Sequence, residues 1–198
     1  MVIEKEPITL LPKHVYELPT LDLARRLLGC LLVKETSEGL TSGYIVETEA
    51  YMGPEDRAAH SFNNRRTKRT EIMYAEAGRV YTYLMHTHCL VNVVSGPPEK
   101  PEAILIRAVE PRDGVELMKR RRPKEGRELT NGPGKLTKAM GINMEDYGSY
   151  FTQSPLYIAE GFSPNSITTG KRIGIGNSGE ARDYPYRFWI TGNEYVSR

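Results

Sequence analysis

The chain has 198 residues, with 27 Lys+Arg against 25 Asp+Glu, 39% hydrophobic residues, 18 Gly, 13 Pro and 2 Cys. That length fits one domain in the usual range of about 100–200 residues, and two cysteines exclude a disulfide-stapled secreted scaffold. The longest apolar runs, such as Leu27 to Val33 interrupted by Gly29, fall far short of the roughly 20 residues of a membrane helix, so no membrane contact is expected.

In Met1 to Leu10, Glu4, Lys5, Glu6 and Pro7 stand where a signal peptide would carry its apolar stretch. No asparagine lies in an Asn-x-Ser/Thr context, and a cytoplasmic chain is expected. Thr20 can cap a helix over Leu21 to Leu28, with Leu23, Ala24, Leu27 and Leu28 on one face and Gly29 at its end. Three stretches have strand character: Ser42 to Tyr51, Arg79 to Val94, and Ala103 to Val109. Pro111 is expected to open a helix running through Arg120, and Asn131-Gly-Pro-Gly134 to launch another that stops at Gly141. Tyr157 to Val196, rich in Gly, Pro and β-formers, reads as strands and turns. No repeat or long linker divides residues 1–198, so a single α+β domain is expected.

Alternate strand residues share a face. Ile45, Glu47, Glu49 and Tyr51 therefore fall together, as do Tyr81 with Tyr83 and Leu105 with Arg107. Glu47 is expected in solvent or in a structural ion pair. Glu49 differs, because the chain then turns at Gly53-Pro54 and brings up His60.

The net charge of +2 hides two basic clusters, Arg65-Arg-Thr-Lys-Arg69 and Lys119-Arg-Arg-Arg-Pro-Lys124. Such patches suit a phosphate backbone. Either could equally be a solvated face, and the second could be a nuclear-import signal.

Several familiar chemistries find weak support. Gly174, Gly176 and Gly179 spell a Gly-x-Gly-x-x-Gly string, but a dinucleotide fold needs a helix, a strand and an acid roughly 20 residues further on. Only 19 residues follow Gly179, so these glycines read as turns, with a phosphate beside them as an open alternative. His86 and His88 could be imagined with His60 and Glu49 around a zinc ion, but the spacing is unspecific and no metal is expected. There is no Gly-x-Ser-x-Gly elbow and no Walker loop. What remains is Glu49, Tyr51, His60, Tyr83 and Arg107. Flat rings with a carboxylate and an arginine suit a planar base held between rings while water attacks the atom to which it is attached.

The string Ile45-Val-Glu-Thr-Glu-Ala-Tyr-Met-Gly-Pro-Glu-Asp-Arg-Ala-Ala-His-Ser61 resembles the alkyladenine (3-methyladenine, or methylpurine) DNA glycosylase family. So do Arg79-Val-Tyr-Thr-Tyr83, Leu105-Ile-Arg-Ala-Val-Glu-Pro111, Asn131-Gly-Pro-Gly-Lys-Leu136 and the tail from Gly174 to Phe188, over about Leu21 to Ser197. The resemblance implies a curved, mostly antiparallel sheet with surrounding helices. It implies a monofunctional enzyme that flips alkylated or deaminated purines from double-stranded DNA and hydrolyses the N-glycosidic bond, leaving an abasic site, without metal or organic cofactor. By position, Glu49 is the general base and Arg107 helps place the water. Tyr51, His60 and Tyr83 stack on the flipped base, Tyr81 supports them, and Asn92 crowds the exocyclic amine of normal guanine. Arg65, Arg69 and Lys135 contact the DNA backbone. The segment Leu84 to Cys89 is one residue shorter than the family pattern, with His86 where tyrosine is familiar, so Met85 or His86 is the expected wedge.

The family further implies a monomer, associated with the nucleoid in a bacterium or residing in the nucleus in a eukaryote; the short stretch before Leu21 favours the bacterial form. Two other readings compete: a module that binds damaged DNA without chemistry, and a metal-dependent hydrolase at His86 and His88.

Overall fold

The computed structural model describes residues 8–197, so residues 1–7 of the Met1 to Leu10 segment read against a signal peptide lie outside the described residues. In chain order come α1 (Thr20–Arg26), β1 (Leu31–Thr36), β2 (Gly39–Tyr51), β3 (Val80–Met85), β4 (His88–Ser95) and β5 (Glu102–Asp113). They are followed by α2 (Val115–Arg121), α3 (Pro133–Met140), β6 (Leu156–Ala159), β7 (Ile167–Gly170) and β8 (Arg187–Ile190). The strands form one sheet in the order β3-β4-β5-β2-β1-β6, with β8 joined to β2 and β7 to β8. Every pairing is antiparallel, and the class is the expected α+β. No helix among the described residues is long and apolar enough to cross a membrane.

The central strand explains the curvature. β2 pairs with β5 along one edge, while its other edge joins β1 over its first half and β8 over Glu47 to Glu49. The change of neighbour falls at a register shift between Ile45 and Glu47, and a bulge of this kind bends a strand and re-aims its side chains. Strict alternation put Ile45 on the face of Glu47, Glu49 and Tyr51. The extra residue moves it into the large core instead, with Ala50.

The sheet thus has two unlike faces. One packs Ile104 and Ile106 of β5 and Val91 and Val93 of β4 against Leu23 and Leu27 near α1 and Leu136 and Met140 of α3. At about 1.5–3 kcal/mol per buried aliphatic side chain, this face is the main source of stability. The other carries Tyr81, Tyr83, Leu90 and Leu105 over Met73. It gives up apolar positions to Glu49, Asn92 and Arg107, all buried.

Three of the differences from the expected boundaries have a physical cause in the fold. Thr20 is the first residue of α1, after Pro19, and its hydroxyl bonds the Glu102 carboxylate instead of a helix amide. Tertiary pairing outweighs capping there. The stretch 79–94 is a hairpin, with Met85 opposite His88, and its turn places His86 at φ 55°. Pro111 does not open a helix: it stays in β5 opposite Gly43, beside a second register shift, where the missing amide of proline is tolerated. The helix waits for Gly114, at φ 70°, where a Cβ would fall 2.2 Å from the Leu40 carbonyl oxygen. The Gly-Pro-Gly turn, by contrast, starts α3 at Pro133 and Gly141 ends it, as expected.

Candidate active site

Glu49 is fully buried near the end of β2. Its Oε1 accepts the Ile173 amide at 2.7 Å, and its Oε2 accepts the Tyr51 hydroxyl at 2.9 Å and Arg107 Nη1 at 3.3 Å. Burial raises its pKa above the ordinary carboxylate value, against the pull of Arg107, the Ile173 amide and the Tyr51 hydroxyl. A carboxylate with a raised pKa is a better proton acceptor near neutrality, which suits a general base. Tyr51 is pushed well above its ordinary value by burial and then by Glu49, so its hydroxyl remains a donor.

Arg107 lies between two carboxylates. Its Nε donates to Glu47 at 3.0 Å, and its Nη2 donates to Ser197 Oγ at 3.1 Å. Glu47 also accepts Arg187 Nε at 2.7 Å, the Ser197 amide at 2.7 Å and the Ser197 hydroxyl at 2.8 Å. Of the two expectations for Glu47, the structural ion pair holds. Two arginines share this second carboxylate, so Arg107 keeps positive charge to spend on Glu49.

A pocket lined by Tyr51, His60, Tyr81, Tyr83, Met85 and Asn92 together with Ala58, Met73, Ala103 and Ile175 adjoins Glu49 through Tyr51, while Glu49 and Arg107 themselves are buried and do not line it. The sequence-predicted pocket residues are thus brought together. His60 meets Tyr83 edge-on, with ring centroids 4.6 Å apart. Tyr81 stands behind them, its hydroxyl 2.8 Å from His60 Nδ1. The Asn92 amide donates to the Tyr81 carbonyl at 3.0 Å, which fixes its orientation at the wall.

The His60 pKa is pushed down to about 4, by burial first and then by Arg69 and Arg65. A ring titration followed by NMR should therefore show His60 neutral until the pH approaches 4. Its folded pKa lies below the ordinary 6.5, so the unfolded chain takes up the proton first. The stability His60 contributes is complete above 6.5 and is lost as pH falls through that window toward 4. A ring that titrates near its ordinary value would contradict the packing.

Several site residues escaped the sequence reading. The loop holding Gly174 and Gly176 meets the site through the Ile173 amide, which bonds Glu49, and the Ile175 side chain, which lines the pocket. The glycine string lies within the family resemblance, but its residues point to turns beside a phosphate and not to an amide that would bond Glu49. Arg187 and Ser197 join Glu47 in the outer hold on Arg107, and although Asp56 lies within the resemblance string, nothing in the sequence ties it to Arg172.

The expected DNA-contacting residues fall into two groups. Met85 and His86 stand exposed at the tip of the β3–β4 hairpin, and Met85 also reaches the pocket. Arg65 and Arg69 are exposed, with the Arg69 guanidinium 5.9 Å from the Tyr83 ring centroid. Lys135 is different: its ammonium is held by Asn131 Oδ1 at 2.7 Å and Glu128 Oε2 at 3.0 Å, and it does not line the pocket. The 119–124 cluster is partly spent inside the molecule. Arg121 pairs with Glu38 and donates to the Met140 carbonyl, while Lys119 lies beside Glu116 and Glu125.

A model of the methylpurine-DNA glycosylase (MPG) family matches residues 14–194. A Bacillus subtilis (strain 168) protein named "Putative 3-methyladenine DNA glycosylase" is 67% identical over 199 residues, covering all of both chains. Proteins of the same name from Oceanobacillus iheyensis and Listeria monocytogenes (strain EGD-e) are 60% identical over 95% of this chain and 96% of the relative, and 50% identical over 90% and 87%. The chain belongs to the methylpurine-DNA glycosylase family.

Proposed function

We propose that this DNA glycosylase releases 3-methyladenine and related damaged purines from double-stranded DNA by flipping the nucleotide into the Tyr51/Tyr83/His60 pocket and hydrolysing its N-glycosidic bond. The observation that carries the reading is the buried carboxylate of Glu49, its pKa raised by burial, with Arg107 beside it and its Oε2 bonded to Tyr51, a residue that lines the aromatic pocket. An ionised carboxylate has about four acceptor positions. The Ile173 amide, Tyr51 and Arg107 occupy three of them, and the fourth, on Oε1, receives the water that attacks the sugar C1′. Glu49 takes the water's proton as the C1′–N bond breaks and the bonding pair leaves with the base. For a base already cationic through methylation, no further proton is required for departure.

Recognition follows from the rings. A delocalised cation is attracted to aromatic faces. Each base–aromatic stack returns ~1–3 kcal/mol against an extrusion cost of a few kcal/mol. Asn92, fixed by Tyr81, excludes the exocyclic amine of guanine. Met85 or His86 fills the gap in the duplex, and His86 is suited to the turn by its positive φ. Arg65 and Arg69 hold phosphates near the pocket mouth. Lys135 does so only by sharing its charge with Glu128. We read residues 1–198 as one domain acting as a monomer in the bacterial cytoplasm, at the nucleoid.

The chemistry is tested by incubating alkylated duplex, and beside it a hypoxanthine duplex, with the enzyme and borohydride. Free purine, an uncut abasic strand and no trapped protein–DNA adduct are expected. A trapped adduct would mean amine attack at C1′ and would overturn the hydrolytic assignment. The hypoxanthine arm reports whether a neutral leaving base is accepted.

A further inference from the structure

We propose that Arg172, paired with Asp56, is a positioning residue for the excision reaction, clamping together the segments that carry Glu49, Tyr51, His60 and Ile173. The inference rests on the hydrolytic reading above. The Arg172 side chain is 0% exposed and that of Asp56 is 1% exposed. The guanidinium meets the carboxylate through both Nη atoms, Nη2 to Oδ1 at 2.8 Å. From there it reaches three other parts of the site. Nη1 donates at 2.9 Å to the carbonyl of Ala50, the residue between Glu49 and Tyr51. The guanidinium carbon lies 4.7 Å from the Tyr51 ring centroid. The next residue in the chain supplies the amide that binds Glu49. Asp56 in turn accepts the Met52 and Ala58 amides, each at 3.0 Å, fixing the turn that leads to His60.

Stability alone is a poor account of this pair. Buried ion pairs gain little net free energy over apolar packing, and here Arg172 Nε is buried without a hydrogen-bond partner. What the pair does supply is geometry. Without the clamp, the loop at Ile173 loses its register on Glu49, and two acceptor positions compete for water where one should. Catalytic groups displaced by about 1 Å typically lose on the order of 10² in rate.

The Ile173 amide favours the ionised form of Glu49, so loss of the clamp should also move the acid limb of the excision pH profile upward. The other groups facing Glu49 are Glu47 and Tyr51 on β2, Tyr83 on β3, Arg107 on β5, and Arg187, which lies opposite Glu49 on β8; of these Tyr51 also faces Arg172, and loosening its hydroxyl bond to Glu49 moves the limb in the same direction.

The test is Arg172→Lys, which keeps the charge but loses the planar fork, with Asp56→Asn as a milder second variant that holds if the first does not fold. Single-turnover excision is measured with enzyme in excess on alkylated duplex, so that a smaller folded fraction leaves the rate constant unaffected. A roughly 10²-fold slower step is expected, with a raised acid limb and duplex affinity of the same order as wild type. Lowered thermal stability with wild-type rate constant and acid limb in both variants would overturn the positioning role. Glu49→Gln run alongside separates the two readings. An inert wild type, or an equally active Glu49→Gln, overturns the hydrolytic reading and this one with it. Normal Arg172→Lys beside inert Glu49→Gln removes only the clamp.

Discussion

Glu49→Gln should slow single-turnover release of 3-methyladenine by ~10²–10⁴-fold, the usual contribution of a general base, while leaving the fold at least as stable near neutral pH. The two halves of that expectation have one cause. Burial raises the Glu49 pKa in the folded protein, so the folded state binds a proton more readily than the unfolded chain does. A group shifted in that direction favours folding below its unfolded pKa, and the advantage is lost as pH rises through the folded pKa. Near neutrality the ionised Glu49 is therefore a liability that the neutral amide removes. Thermal unfolding of the two proteins across pH should show the gap open as pH rises and close in acid. A Glu49→Gln protein that is both inactive and strongly destabilised at neutral pH would mean that Glu49 serves the fold.

Arg107→Met should do the opposite, destabilising the protein by about 3–5 kcal/mol, the typical cost of removing one partner from a buried ion pair. Without it, Glu49 loses its one arginine partner among the described residues, while Glu47 retains Arg187 and Ser197. The deficit should therefore concentrate on Glu49. Denaturant unfolding of Arg107→Met, Glu49→Gln and the double variant forms a cycle. The double variant should recover part of the stability lost in Arg107→Met, without recovering activity. Strict additivity would show that the two side chains are not coupled.

The parts of this site that were legible in the sequence share a property: each depends on local order. Alternation along single strands placed Tyr81 with Tyr83 and Leu105 with Arg107, and the Gly-Pro-Gly turn announced α3. Residue spacing alone could not show that the bulge before Glu47 would turn Ile45 to the opposite face. Nor could it show that Pro111 would remain in a strand, since that depends on a register shift in the partner strand. The largest omissions are long-range. Ile173 is 124 residues from Glu49, Arg172 is 116 from Asp56, and Ser197 is 150 from Glu47. No periodicity connects such pairs; only the closing of the sheet does.

The basic clusters show the same limit. Similar in composition, they divide in the fold, because Arg65 and Arg69 lie near His60 at the pocket, Arg66 pairs with Glu71 and Glu99, and Arg121 serves the end of α3 and the β1–β2 turn. A chain of net charge +2 thus presents a local positive rim beside a pocket whose Tyr51 wall is bonded to a buried carboxylate. Salt should weaken DNA binding through the few free arginines and leave the single-turnover rate of the bound complex unchanged.

The central claim is that Glu49 performs chemistry on a base bound in the pocket, as opposed to merely shaping a surface that recognises damaged DNA. It is tested most directly by incubating one alkylated duplex with excess wild type or excess Glu49→Gln, in the presence of chelator, and measuring bound DNA and free purine in the same samples. Both proteins should bind the duplex with similar affinity, and only the wild type should release 3-methyladenine at an appreciable rate. Binding by both proteins with no purine released by either, or equal release by both, would contradict the account.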